Sequence, residues 1–404
     1  MSLISLSSEL LASILSFEDV LDRHDLFNVF MTCRRLNLIT LPFLYRSMQI
    51  MYSGPRGSSP HALENILAHF NRYPERLIWV KKVHACWYRQ DARRSTALFE
   101  LLFKFSAMQR LRMYATGPWD EDLPFQAFLN NCHECTSIQH LNIANVASDS
   151  SEAIRLFAMP YLESLVFRNF QVPLGSADLP SQSYNPTKLK EMIVPLATCL
   201  PMGPHADLLL QNHPFLRTLV RTVTCDHSPP VSYPSAILRA MAPLLPFLEN
   251  LTLLMREPSA SYKANQMDFS GFTALKYLEI HEKLTFGNNF RMVPPETLFH
   301  RNDLPDRLPR ALRNLIIWFG RQSRALHLEQ SGPLSYSWLL HLARQKKLLF
   351  ENLARIKLLE EMEWQYHKRP RAADTEWDYP SDVRNTFHDA AISLEVMLRP
   401  DQTR

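Results

Sequence analysis

The chain has 404 residues, 46% of them apolar and 21% charged, and its 44 basic and 40 acidic side chains leave a net charge of only +4, too balanced for a polyanion-binding protein. It holds nine glycines where average usage would supply about 28, and only Gly54 and Gly57 lie close together, so the Gly-rich loops that let a backbone approach a phosphate are excluded, as is a G-x-S-x-G nucleophile elbow. No apolar run reaches the roughly 18 residues of a membrane span, the first residues lack the basic region of a signal peptide, and six scattered cysteines read as reduced, cytoplasmic or nuclear usage rather than a disulfide framework.

In chain order, the first fifty residues read as three short helices. Leu6, Leu10, Leu11, Ile14 and Leu15 form one apolar face at helical spacing. Asp22 or Asp25 can cap a second helix carrying Leu26, Phe27, Phe30 and Cys33. A third cluster runs through Leu36, Ile39, Leu41, Phe43, Leu44 and Tyr45. Gly54–Pro60, with two glycines and two prolines, is the best linker in the chain. A helix with Leu63, Ile66, Leu67 and Phe70 follows and stops before Pro74.

The succession Leu6-Ser7-Ser8-Glu9-Leu10, Ile14-Leu15, Asp25-Leu26, Thr32-Cys33-Arg34-Arg35-Leu36 and Leu41-Pro42-Phe43-Leu44-Tyr45-Arg46-Ser47 resembles the F-box in order and spacing over about 45 residues. Two departures stand out. Ser7 replaces the family's proline, which is pre-organised for a helix start, and Phe17–His24 is longer and more polar than the usual inter-helix link. The resemblance implies docking to a Skp-family adaptor and through it to a cullin-based ubiquitin ligase. Carried over residue by residue, the adaptor contacts would be Leu6, Leu10, Leu11, Ile14, Leu15, Leu26, Cys33 and Leu36. Intra-domain core is the competing fate of each leucine.

From residue 80 an apolar-x-x-apolar-x-apolar pattern recurs ten times, starting at Val80, Met108, Ile138, Leu162, Leu189, Leu216, Leu248, Leu275, Leu312 and Leu353, complete in nine and with Arg221 at the third place of the unit from Leu216, with starts 24 to 41 residues apart. Self-similarity at this period marks a repeat array, and the pattern resembles irregular leucine-rich repeats. Met159-Pro160, His213-Pro214, Leu245-Pro246 and Leu308-Pro309 precede four of the strands, where proline ends a helix and launches the next extended segment. At the C-terminus Val383, Phe387, Ala390, Leu394 and Met397 are spaced as one helix, N-capped by Ser381 and closed by Pro400. It reads as a capping helix for the array, or alternatively as a free partner-binding helix.

Because strand side chains alternate, residues between the buried positions face a concave surface: His84, Arg112, Tyr114, Asn142, Arg168, Thr252, Glu279, His281, Ile316 and Trp318. Of these Arg112, Tyr114, Arg168, Glu279, His281 and Trp318 are the candidate target-binding residues, being of types that dominate interfaces or carry charge. Arg221 sits at an inward position of its repeat, so the register slips there or the arginine reaches an acidic partner. Cys132-His133-Glu134-Cys135 is the one C-x-x-C. A structural zinc site needs a second ligand pair, and none is present, so the two cysteines read as small apolar packing residues. His367-Lys368-Arg369-Pro370-Arg371 reads as a solvated loop rather than a nuclear or nucleic-acid signal.

The expected architecture is α/β: a three-helix F-box (1–50), a linker and helix (51–75), a degenerate leucine-rich-repeat solenoid (76–360), and a polar loop with a C-terminal capping helix (361–404). The whole resembles divergent, fungal-type F-box proteins with leucine-rich repeats. That implies a non-enzymatic substrate-recognition subunit binding an adaptor and a target protein, without cofactor, metal, nucleic acid or membrane. A scaffold acting outside ubiquitination is the alternative, and a metal-dependent domain around Cys132 and Cys135 a third reading.

Overall fold

The computed structural model describes residues 6–16, 23–51, 62–117, 123–147, 155–156, 159–171, 188–194, 215–224, 238–239, 241–256, 266–286, 303–320, 336–360, 375–376 and 380–398. The chain divides into two units, Met1–Ser164 and Leu165–Arg404. The first begins with helices α1 (Ser8–Leu15), α2 (Arg23–Thr32) and α3 (Arg34–Arg46). Strand β1 (Ser47–Met51), α4 (Ala62–Arg72), β2 (Lys82–Tyr88), α5 (Ala92–Lys104), β3 (Arg110–Thr116), α6 (Leu123–Asn131) and β4 (His140–Ala147) follow. The strands pair in the order β1-β2-β3-β4, all parallel.

The second unit carries β5 (Ser164–Gln171), β6 (Glu191–Val194), β7 (Thr218–Thr224), β8 (Asn250–Arg256), β9 (Tyr277–His281), α7 (Glu282–Phe286), α8 (Leu304–Arg307) and β10 (Asn314–Phe319). It ends with α9 (Ser337–Leu349), β11 (Arg355–Glu360), β12 (Thr375–Glu376), α10 (Ser381–Asp389) and β13 (Ser393–Leu398). The order is β5-β6-β7-β8-β9-β10-β11-β13-β12. From β6 to β13 neighbours are parallel, and β12 alone runs antiparallel to β13. Neither set of strands closes on itself.

The second and third residues of all ten expected triplets fall on strands, with the first in the turn just ahead, and the register stacks equivalent residues. Leu219, Leu251, Leu278, Leu315, Ile356 and Leu394 stand side by side, as do Val83, Leu111 and Leu141. The first residue of each triplet, from Val80 to Leu353, is at most 1% exposed. A fully buried aliphatic side chain contributes about 1.5–3 kcal/mol, so each strand is held by burial against its neighbours rather than by a core of its own. Arg221 aligns with Val194 on one side and Leu253 on the other. The register therefore does not slip at that repeat; its side chain lies outside the described residues.

Two backbone devices repeat with the triplet. The carbonyl just before the strand accepts two successive N–H groups from the next repeat: Lys81 from Gln109 and Arg110, Gln109 from Gln139 and His140, Glu249 from Lys276 and Tyr277, Lys276 from Arg313 and Asn314, all between 2.8 and 3.0 Å. The amide of the first triplet residue bonds the carbonyl three residues back, as in Met108 to Phe105, Ile138 to Cys135, Leu162 to Met159, Leu275 to Phe272 and Leu353 to Phe350. These turns form with and without proline. Pro160, Pro246 and Pro309 lie in or beside them, while the turns at Phe105, Phe272 and Phe350 contain none, so proline assists a turn made by burial and by the i to i+3 bond. Pro214 lies outside the described residues.

Three expectations are corrected. Ser7 is not a weakened first helical residue but the N-cap of α1, its Oγ accepting the Leu10 N–H at 3.3 Å, as a serine does at that position. The F-box-like segment does not end as helix: Ser47–Met51 is a strand whose Met48 and Ile50 align with Val83 and Ala85, a repeat element ahead of the first expected one. The C-terminal stripe is not one helix. Helix α10 ends at Asp389 after burying Val383 and Phe387, Ala391 turns the chain at φ +50°, and Leu394 and Val396 continue on β13 beside Ile356 and Leu358. The N-cap is Pro380 rather than Ser381. Only Val383 and Phe387 keep the helical spacing; Leu394 and Met397, three apart, fall on opposite faces of β13, to which the open edge of β11 offered hydrogen bonds. Asp22 lies outside the described residues, and Asp25 sits in the first turn of α2.

Arg89, directly after β2 and 4% exposed, holds the ends of the neighbouring strands. Its Nη1 donates to the Gly117 carbonyl at 2.9 Å and its Nη2 to the Asn145 carbonyl. Gly117 needs its glycine: φ is +95° and a Cβ would stand 2.8 Å from the Tyr88 ring. Loss of a buried donor leaves such carbonyls unsatisfied at about 1–3 kcal/mol each. Arg89→Met is therefore expected to lower unfolding free energy by about 3 kcal/mol in urea titration, whereas Arg93→Met on the exposed side of α5 should stay within about 0.5 kcal/mol.

Candidate interaction surfaces

The three N-terminal helices leave much apolar surface open. Helix α1 buries Leu11 and Leu15 and turns Leu10 (54% exposed) and Ile14 outward. Helix α2 packs on α3 yet buries none of its residues, with Phe27 and Met31 exposed one turn apart. Its Phe27 and Phe30 rings stack at 6.1 Å and, with Leu41, Leu44 and Tyr45, line a groove between α2 and α3. Leu38 of α3 is also exposed. Arg35 ties α3 to α1 by donating to the Leu6 carbonyl at 2.8 Å and the Ser8 hydroxyl at 3.3 Å.

The expected adaptor contacts separate accordingly. Leu10 and Ile14 are open, and Leu6, Leu26 and Cys33 are partly open. Leu11, Leu15 and Leu36 are enclosed among the helices at 7% exposure or less and are core rather than contact residues. Sequence reasoning did not single out Met31 and Leu38 as surface residues. The signal was the i, i+4 pair Phe27 and Met31, which no other apolar stripe of the described chain covers.

At the root of α3 a polar cluster joins the helices to the strands. Arg76 donates to the Tyr45 hydroxyl at 2.9 Å, and Tyr45 lies 2.7 Å from His69 Nε2. Arg76 Nη1, which can only donate, also lies 3.2 Å from His69 Nε2, so that nitrogen accepts and the Tyr45 hydroxyl donates to it. Burial and then the Arg76 charge hold His69 below the usual histidine value.

The strand face expected to bind a target divides in two. Arg112 and Arg168 are exposed, and Tyr114 is 38% exposed. Glu279, His281 and Trp318 are not: each is at most 6% exposed, which corrects their reading as open surface residues. Glu279 and Trp318 bond each other, while His281 Nε2 is buried without a hydrogen-bond partner among the described residues. Glu279 accepts from Thr252 Oγ1 at 3.1 Å, the Tyr277 hydroxyl at 3.0 Å and Trp318 Nε1 at 2.8 Å, and Trp318 packs with Leu254 and Leu359. His281 Nδ1 accepts the Lys283 N–H at 3.2 Å. Burial, then the Lys283 charge, pushes its imidazole down to about 3.

Cys132 and Cys135 belong to the repeat. In Leu102-x-x-Phe105-x-x-Met108, Leu156-x-x-Met159-x-x-Leu162 and Phe269-x-x-Phe272-x-x-Leu275 the same two places are buried apolar residues, and Cys132-x-x-Cys135-x-x-Ile138 repeats the pattern. Burial pushes both thiols up to about 12. Among the described residues no group of three His, Cys, Asp or Glu side chains could hold a metal, and no helix is long and apolar enough to cross a membrane. The run at 367–371 lies outside the described residues.

No family model matches the chain, and no curated protein matches it. Among solved structures, the crystal structure of a TLR13–ssRNA13 complex is similar at 14% identity and a TM-score of 0.27, with 80% of this chain covered and 41% of that chain.

Two outcomes are expected. A free histidine titrates near 6.5, whereas folded His281 stays neutral down to about 3. The unfolded chain therefore binds the proton first, and the stability from His281 is fully present above pH 6.5 and is lost as pH falls below it. His69 and His84, both lowered, act in the same direction. The melting temperature should fall between pH 7 and pH 5, and His281→Asn should narrow that difference. In a thiol-labelling time course, Cys132 and Cys135 should react only as the chain unfolds, because the thiolate is the reactive form.

Proposed function

We propose that this protein is a non-enzymatic substrate-recognition subunit of a cullin-type ubiquitin ligase. Its N-terminal helices dock a Skp-family adaptor, and its repeat face holds a target protein. The observation that carries the reading is the uncovered apolar surface of the three helices, Leu10, Ile14, Phe27, Met31 and Leu38, on a segment whose sequence resembles the F-box. A helix with no buried residue of its own, such as α2, is stabilised by what covers it. The one-strand-per-repeat array supplies the second half, an extended face of outward side chains suited to binding.

Co-purification with a Skp-family adaptor tests the reading. Wild type should retain the adaptor at micromolar concentration, and Leu10→Asp with Ile14→Asp, both on exposed positions, should abolish retention without changing the unfolding midpoint. A wild-type chain that never retains the adaptor overturns the proposal. Retention without ubiquitin transfer to any bound protein assigns the chain to scaffolding outside ubiquitination instead.

A further inference from the structure

The outward side chains of β1 to β4 form three rows across the first unit. Register places Ser47, Lys82, Arg110 and His140 in one row, Gln49, His84, Arg112 and Asn142 in the next, and Met51, Cys86, Tyr114 and Ala144 in the third, where Cys86 and Ala144 are buried and only Met51 and Tyr114 are open. None of these twelve positions is Asp or Glu, while three are Lys or Arg and two are His. Neighbouring strands lie about 4.8 Å apart and alternate residues about 6.6 Å apart, so Lys82, Arg110 and Arg112 fall within a patch roughly 5 by 7 Å. Arg110 and Arg112 are exposed, and no Asp or Glu among the described residues pairs with either.

Like charges this close repel, and the second unit answers the same problem internally. There Lys357 lies beside Glu395 in register and pairs with it at 2.6 Å, Arg355 pairs with the same carboxylate at 2.9 Å, and Glu249 bridges Arg217 and Lys276. Among the described residues the outward rows of β1 to β4 hold no such carboxylate, and Arg110 and Arg112 stand without one.

We propose that this face docks an extended acidic segment of a protein partner, whose carboxylates fill the place that Glu395 fills in the second unit. The proposal rests on reading the repeat face as the target surface and adds the chemistry of the target. A peptide is favoured over a nucleic acid by the size and content of the patch. Two neighbouring exposed arginines, Arg110 and Arg112, beside a single exposed aromatic, Tyr114, suit a few carboxylates, whereas single-stranded nucleic acid needs a longer basic track and a series of stacking rings. An extended peptide repeats its side chains every 6.6–7 Å or so on one side, which matches the spacing between the rows.

The test uses the full chain and fluorescence anisotropy with two labelled probes, an alternating Glu-Ser peptide and a uridine oligonucleotide, each about ten units long and so longer than the patch. The peptide should bind saturably, more weakly as salt rises. Arg110→Ala with Arg112→Ala should weaken it at least about tenfold, the scale of losing charge-assisted contacts. Arg93→Ala with Lys104→Ala, exposed on α5, should change it less than about twofold, since screened rim charges contribute little. Unfolding midpoints are measured alongside, and if the double variant unfolds, Arg112→Gln carries the same expectation at about half the logarithmic loss. Absence of saturable peptide binding, unchanged affinity in the Arg110 and Arg112 variants, or tighter binding of the oligonucleotide overturns the proposal. No adaptor is present in this assay, so its failure leaves the adaptor reading standing, and failure of adaptor retention leaves this one standing.

Discussion

The structure depends on one constraint: each strand must add to the edge of the last in parallel and in strict register. A backbone carbonyl just before eight of the described strands, such as that of Lys81 or Glu249, takes two amides of the following repeat. This leaves no freedom to shift by a residue, because a one-residue slip would turn the whole apolar set outward. The consequence reaches every side chain. Once Leu251 is beside Leu278, Thr252 is beside Glu279, and the outward rows are determined as fully as the buried ones. The backbone of Arg221 keeps the same register, between Val194 and Leu253.

The same geometry makes the outer rows of the two units chemically different. In the first, the rows gather Lys82, Arg110, Arg112 and two histidines without a carboxylate. In the second, they gather partners for one another: Glu279 with Thr252, Tyr277 and Trp318, and Glu395 with Arg355 and Lys357. A buried carboxylate with three donors is a satisfied structural group, and the charges around Glu395 are already balanced. What remains open for a partner among the described residues is the exposed pair Arg110 and Arg112 and the uncovered helices α1 and α2, two surfaces of opposite character, one charged and one apolar.

Much of this was legible in the residues alone. Ten apolar triplets predicted ten strands because burial of Leu, Ile, Val and Met at three fixed places is what adding a strand requires, and no tertiary effect competes with it. The C-x-x-C was legible too, once its two places were seen to be filled by Leu102 and Phe105 one repeat earlier. Short elements at the ends were harder. Ser47–Met51 follows a helix without a break, and Leu394 to Met397 continue a helical spacing. In both cases the unpaired edge of a neighbouring strand decided the conformation, and an edge is not a property of the local sequence.

The sequence by itself therefore determined the repeat, its period, its parallel array and the three helices that precede it, since these follow from local periodicity and from burial of apolar side chains at set intervals. Only the tertiary structure decided which outward residues are open. Trp318, His281 and Glu279 occupy the same kind of strand position as Arg112 and Tyr114, and Leu11 has the same chemistry as Leu10. Alternation says which side of a strand or helix a residue takes. Whether that side meets water depends on what the rest of the chain lays over it and on which hydrogen-bond partners lie across the register, and both are settled by residues distant in sequence.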